Sequence, residues 1–332
     1  MRAIRVRPSN HASAFKGTPI LPMPTVSLIV PCFKSAEFLD ATIRSILRQD
    51  LRDWELVLVD DGSPDATWEV IESCARQDSR ILGYRKPNEG TTRARTYGVM
   101  QISATARYLF FLDHDDQLEP WALSRLVNYL EANPEVGLVA CQRQDIDQAG
   151  NRLDTGHIDR WAPGRIFPHR MRDAEIETPF ATFFCATGQG PNAMYRRSVY
   201  SRTEGWETAF WPHEDTDMFC QMALLAKVHY LTERLYLKRI HPAQGMNSGR
   251  VQDAYKGFRA KWDNRVPRNA EEGVVLAQAK KYYYSLHRPC RNLKVSLKAL
   301  RAFLRQPSWA AWRWFVHLFG TGLYRLLCGG GR

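Results

Sequence analysis

Apolar positions along this chain follow two alternating rhythms. Val26-Ser-Leu-Ile-Val30 is a short apolar run closed by Pro31. Glu55-Leu-Val-Leu-Val59, Ile81–Tyr84 and Tyr108-Leu-Phe-Phe-Leu112 repeat the pattern and read as buried strands. Between them Leu39, Ile43, Ile46 and Leu47 recur at helical spacing, and Thr67–Arg76 and Thr91–Ile102 read as helices. Continuous apolar strands alternating with helices predict a parallel sheet covered on both faces. Ligands of such sheets bind at the carboxyl ends of the strands. Two acidic clusters, Asp60-Asp61 and Asp113-His-Asp-Asp116, fall at such ends, which makes them site candidates rather than ordinary surface charge.

From Val136 the rhythm weakens. Val136–Cys141 reads as another strand, Asn151–Pro179 as loop, and Gly188-Gln-Gly-Pro191 as a tight backbone segment. Trp211-Pro-His-Glu-Asp-Thr-Asp217 opens a helix that runs through Phe219, Met222, Ala223 and Leu225, and His241-Pro242 closes the region. The expected organisation is an N-terminal extension over 1–24, halves over 25–135 and 136–245, and a helical C-terminal extension over 246–332.

Charge sharpens that last boundary. The chain has 332 residues and a formal net charge of +11. From Met246 to Arg332 there are 17 Lys and Arg against 4 Asp and Glu, a net of +13, so Met1–Gly245 is left near −2. The basic character therefore belongs to the tail. Arg291, Lys294, Lys298, Arg301 and Arg305 run beside Leu293, Leu297, Leu300 and Leu304 as an amphipathic basic helix. Trp309, Trp312, Val316, Phe319, Leu323 and Leu326 form a second apolar face. Two readings stay open for the tail: a helical hairpin packed on the main domain, or an interfacial anchor on an anionic membrane surface. Arg313, His317, Gly320 and Gly322 interrupt the second stretch and argue against a full span. The seven cysteines show no CxxC pair or regular spacing, which suits reduced thiols in a cytosolic protein. Met1–Pro24 has Arg2, Arg5 and Arg7 but no continuous apolar stretch after them, so no secretory signal is expected.

Each acidic cluster has a chemical and a structural explanation. Asp113-x-Asp115 after an apolar strand offers hard oxygens to Mg²⁺ or Mn²⁺, which would bridge a diphosphate; the same acids could cap the helix starting near Pro120. Asp60-Asp61-Gly62-Ser63 could accept hydrogen bonds from a nucleobase or ribose, or could simply make a turn. Glu214-Asp215 could supply a general base for a sugar hydroxyl, or could occupy a helix N-terminus favoured by the macrodipole.

Taken in order, Val26–Pro31, Asp60-Asp61-Gly62-Ser63, Asn88-Glu89-Gly90 with Arg93-Ala94-Arg95 and Gly98, Asp113-x-Asp115 and Glu214-Asp215 resemble the family 2 glycosyltransferases. The likeness covers roughly residues 25–245. It implies an α/β fold of GT-A type, with a Rossmann-like, mostly parallel sheet flanked by helices. It also implies an inverting, metal-dependent hexosyltransferase that uses a nucleotide diphosphate sugar. On this resemblance Pro31, Asp60, Asp61, Arg95 and Asp113 would bind the donor. Asp113 and Asp115 would hold Mn²⁺ or Mg²⁺, with His241 similar to a histidine that completes the metal shell in related enzymes. Asp215 would be the base, with Glu214 beside it. The chain departs from the family pattern at Thr96, where Asn is common, and at His114, where a small residue is usual.

The implied partners are the nucleotide sugar donor, a glycan or lipid-linked glycan acceptor of cell-surface polysaccharide or glycolipid assembly, and peripheral contact with an anionic membrane. The expected location is the cytoplasm, at the inner face of the membrane. Nucleic acid is not expected, since acidic strand ends would repel phosphates. Two other classes share part of the pattern: a basic nucleic-acid-binding protein stacking bases on Tyr282-Tyr-Tyr284, and a sugar-nucleotide nucleotidyltransferase. The latter needs a glycine-rich triphosphate loop, which Pro31-Cys-Phe-Lys-Ser35 does not supply.

Overall fold

Strand β2 (Val26–Cys32) lies at the centre of a mixed sheet, and its seven residues are all buried. The structure is a computed structural model that describes residues 4–6, 24–154, 174–175, 192–242 and 251–277. Its other strands are β1 (Ile4–Val6), β3 (Trp54–Asp60), β4 (Ile81–Arg85), β5 (Tyr108–Phe111), β6 (Gln117–Leu118), β7 (Val136–Ile146), β8 (Ala174–Glu175), β9 (Ala193–Arg196) and β10 (Lys227–Arg239). The strand order is β1-β4-β3-β2-β5-β9-β7-β10-β6, with β8 pairing β10 off this path. β4, β3, β2 and β5 are mutually parallel, as the alternating pattern predicts. β9 then runs antiparallel to both β5 and β7, and β10 is parallel to β7. The sheet is thus parallel from β4 to β5, with an antiparallel edge at β1, and mixed beyond β5.

Helices α1 (Leu39–Leu47), α2 (Thr67–Gln77) and α4 (Ala122–Ala132) cover one face. There Leu28, Val30, Leu56 and Leu58 pack with Ile43, Ile71 and Leu126. Helix α3 (Thr91–Val99) covers the other face, where Val57 and Val59 meet Ala94. Cover on both sides is why these strands are almost wholly apolar, and the polar Ser27 and Glu55 within them hydrogen-bond to each other. Gly98 permits the close approach of α3, since a Cβ there would stand 2.5 Å from Ile29 Cγ2 and 3.3 Å from Val59 Cγ2. Three further helices are α5 (Arg197–Tyr200), α6 (Glu214–Ala223) and α7 (Val251–Asp263).

All these elements belong to one compact unit, Met1–Leu276, which includes α7. Ala277–Arg332 forms a second unit, of which only Ala277 is described. The amphipathic tail and the Gly188–Pro191 segment therefore lie outside the described residues. Among the described residues no helix is long and apolar enough to cross a membrane.

Strand register sets up the site. Cys32, Asp60 and Arg85 lie abreast at the carboxyl ends of β2, β3 and β4. β5 stops earlier, at the level of Ile29, so that the chain turns out at Leu112 and carries Asp113–Asp116 over the ends of its neighbours. β10 returns its own end to the same place, with Leu237 paired to Gln117 and Tyr236 to Leu118.

Gly98→Val should destabilise the domain by about 1–3 kcal/mol, the usual cost of overpacking a filled contact. Urea unfolding measures it, and an unchanged midpoint would contradict the tight α3 contact.

Candidate active site

Helix α3 carries Arg95 one turn before Gly98, and the close approach points its guanidinium at the strand ends. The side chain is almost fully buried. Its Nη2 donates to Asp113 Oδ1 at 2.9 Å, and its Nη1 donates to Glu214 Oε1 at 3.1 Å and Asp215 Oδ1 at 3.0 Å. Trp206 lies 5.0 Å from the guanidinium and supplies an aromatic face. Residues 119 and 120 positions apart in sequence are thereby joined by one cation.

Helix α6 supplies the acids of that cluster. Its N-cap is His213, with no side-chain cap hydrogen bond, so Glu214 and Asp215 reach Arg95 rather than serve as the cap. Asp217, two residues on, accepts from Trp262 Nε1 at 2.8 Å, Lys261 Nζ at 2.9 Å and Gln221 Nε2 at 2.7 Å, which ties α6 to α7. Burial pushes Asp215 up to about 6, against the opposing pull of Arg95. Burial and then the Asp215 charge push Glu214 up to about 8. Both carboxyls are thus raised above the ordinary range, Glu214 further than Asp215.

Beyond β5, Asp113, Asp115 and Asp116 present carboxylate oxygens within 4.8 Å of one another. The helix-capping alternative does not describe them, because Trp121 occupies the N-cap of α4 and makes no side-chain cap bond. Asp116 is fully buried, and β10 uses both of its oxygens: Tyr236 OH at 2.5 Å and Lys238 Nζ at 3.0 Å on one, the Arg239 amide at 2.8 Å on the other. Burial pushes Asp116 up to about 7, even with Lys238 opposing it. Asp115 Oδ2 accepts from His241 Nε2 at 2.9 Å, while Arg239 Nε donates to its backbone oxygen at 2.8 Å. Burial would raise Asp115, but Lys238, His114 and the His241 contact outweigh it and hold the carboxyl below the usual aspartate range. His241 packs on Phe38, with ring centroids 4.9 Å apart.

This donor set fits a hard divalent cation, since carboxylate oxygens converge and an imidazole nitrogen sits beside them. Asp113 and Asp115 are the members with capacity to spare. Asp116, committed to β10, acts as the fastening between the acidic loop and that strand.

The nucleotide-side candidates sit at the ends of β2 and β3. Pro31 is buried inside β2, opposite Val59. Asp60 is fully buried, accepting from the Ser63 amide at 2.9 Å and lying 3.0 Å from Arg85 Nε. Asp61 takes the amides of Glu89 at 3.1 Å and Gly90 at 2.7 Å and is paired with Lys86. It thereby ties the loop after β3 to the loop after β4. Gly62, at φ +71, is required at that turn, where a Cβ would meet the Asn88 amide at 2.8 Å.

Trp206, Lys238 and Tyr236 escaped the sequence reading. Tyr236 and Lys238 share one face of β10, a strand that mixes Lys, Thr, Glu and Arg and so gives no apolar run. Recognising it as a strand would have placed both residues toward Asp116 by their spacing of two.

Comparison with known proteins bears on the family and the fold. Residues 27–203 match the family model "Glycosyl transferase family 2", so the chain belongs to that family. A glycosyltransferase of Bacillus subtilis, EpsJ, described as uncharacterized, is 37% identical over 119 residues, which is 36% of this chain and 34% of that protein. The chain spans between a quarter and a third of the length of the first three curated relatives. Among solved structures, S. aureus TarS 1-349 in complex with UDP-GlcNAc aligns with a TM-score of 0.61 at 16% identity, covering 90% of this chain and 81% of that one. Mannosyltransferase PcManGT from Pyrobaculum calidifontis, in complex with GDP-Man and Mn²⁺, aligns at 0.57 with 18% identity, covering 93% and 85%. At these identities the likeness establishes the fold, which is of the GT-A type.

Arg95→Met should cost about 3–5 kcal/mol of stability, the range for removing one partner of a buried charge cluster. Arg95→Lys should recover less than half of it, because a point charge cannot serve three carboxylates through a planar fork. Thermal unfolding of both variants checks this; full recovery by lysine would refute the geometric part.

Proposed function

We propose that this chain is an inverting glycosyltransferase that moves a sugar from a nucleoside diphosphate to an acceptor hydroxyl. The observation carrying the proposal is the shared guanidinium: Asp215 and Asp113 bind opposite nitrogens of Arg95. A candidate base thus stands next to the acids suited to the donor's diphosphate. The family assignment and the fold support the same reading.

In this reading Asp215 accepts the proton of the acceptor hydroxyl as its oxygen attacks the anomeric carbon from the face opposite the leaving diphosphate. One displacement inverts the configuration. Arg95 orients Asp215 and keeps it ionised against the pull of burial. Glu214, held by the same guanidinium nitrogen, fixes the first turn of the helix beside it. Asp60 and Asp61 shape the nucleotide end of the site, and Pro31 its floor. A divalent ion, Mn²⁺ or Mg²⁺, held by Asp113, Asp115 and His241, would supply Lewis-acid neutralisation of the leaving diphosphate. The acceptor is a glycan or lipid-linked glycan, a class that suits the basic, tryptophan-bearing tail in the sequence.

A thermal-shift screen of UDP- and GDP-sugars with and without Mn²⁺ tests the donor class, since a specific ligand stabilises the fold by mass action. Failure of every nucleotide sugar to shift the transition would remove the proposal. Asp215→Asn should lower transfer by about 10²–10⁴-fold, the usual worth of a general base, with donor binding retained. Asp113→Ala should weaken donor and Mn²⁺ binding together.

The pH profile follows from the sign of the Asp215 shift. The base works only when ionised, so a carboxyl raised to about 6 moves the acid limb of the rate profile up from the ordinary aspartate range. Transfer should fall with decreasing pH through about 6. An acid limb near pH 4 would argue against Asp215 as the base.

A further inference from the structure

Lys238 is a cation that the reaction outlined above does not use. Its ammonium lies 3.0 Å from Asp116 Oδ2 and 3.7 Å from Asp113 Oδ2, with about a fifth of the side chain exposed. The other Asp113 oxygen is held by Arg95 Nη2 at 2.9 Å. Both oxygens of one candidate metal ligand therefore face positive charges of the protein itself. Two carboxylates face the Lys238 ammonium, and a lysine is ordinarily charged near neutral pH. It also cannot swing away cheaply, because Asp116 is fully buried and anchored by Tyr236 OH and the Arg239 amide.

We propose that Lys238 sets the cation affinity of the acidic cluster: its fixed ammonium competes with a divalent ion for Asp113. The inference rests on the reading that Asp113 and Asp115 are metal ligands. An ion bound at about 2.0–2.2 Å from an Asp113 oxygen must sit within a few ångströms of that ammonium. The repulsion is substantial at the effective dielectric of a partly exposed site. The free protein consequently holds the ion weakly. Occupancy rises when a diphosphate brings further negative charge, which couples ion and donor binding reciprocally. A residue that merely braced the fold would have the opposite sign, because its loss would loosen the cluster and weaken ion binding.

The test is Mn²⁺ binding to the full chain without nucleotide, followed by electron paramagnetic resonance of the free ion. Lys238→Met should bind Mn²⁺ about tenfold more tightly than the unmodified protein. Lys238→Arg, which keeps the charge, should stay within about threefold of it. Thermal unfolding confirms that each variant is folded. Asp115→Asn should bind Mn²⁺ markedly more weakly. Unchanged or weakened binding in folded Lys238→Met, with Asp115→Asn impaired, overturns the role of Lys238 alone. Tightened binding in Lys238→Arg overturns it as well, and does so even where the methionine variant fails to fold. Unmodified Mn²⁺ affinity in Asp115→Asn overturns the metal reading and the inference with it.

Discussion

The site depends on a single buried cation. Moving a guanidinium out of water costs several kcal/mol, and mutual attraction offsets that only when geometry and hydrogen bonding are good. Arg95 meets that condition through three carboxylates drawn from two places: the loop after β5 and the first turn of α6. The carboxylates need it equally. Glu214 and Asp215 are both buried, and without a cation their mutual repulsion would drive the first turn of α6 apart. Such clusters are weak evidence for net stability but good evidence for a fixed arrangement. Here the arrangement holds a residue of the second half of the domain against the first.

Much of the first half was legible in the sequence because its strands are covered on both faces. Val26–Cys32 and Trp54–Asp60 are buried along their whole length, so they appear as nearly unbroken apolar runs in which Ser27 and Glu55 satisfy each other, and the acids Asp60 and Asp61 mark the carboxyl end of the second. The second half hides its strands. β9 has four residues and lies between two antiparallel neighbours, and β10 has 13 residues with exposed and buried positions mixed by register shifts against β7. Neither gives a clean period of two. β1 is a three-residue edge strand inside a segment that reads as an extension.

The same contrast governs the site. Asp60, Asp61, Asp113 and Asp115 were found because strand ends announced them. Asp215 and Arg95 were placed by family likeness, since nothing local in the sequence says that a helix N-terminus at 214 meets a guanidinium at 95. Lys238 and Trp206 carried no signal, because a lysine on a polar strand and a tryptophan in a loop are ordinary. Asp116 was visible as part of an acidic cluster, yet its role was not: only the return of β10 shows that it fastens the loop rather than facing the ligand.

Orientation of the proposed base, Asp215, follows from a second feature of α6. Residues two apart on an α-helix point about 200° apart, so Asp215 and Asp217 leave the helix on nearly opposite sides. Asp215 is held by Arg95 of α3, and Asp217 by Lys261 and the Trp262 indole of α7. Cations on both sides fix the rotation of the helix about its axis as well as its position. A single anchor would leave that rotation soft, and a general base must meet its proton within hydrogen-bond reach. The family match ends at residue 203, before either acid. The geometry of the proposed base is therefore set partly by elements beyond the matched segment, with α7 acting as the far wall against which Arg95 holds it.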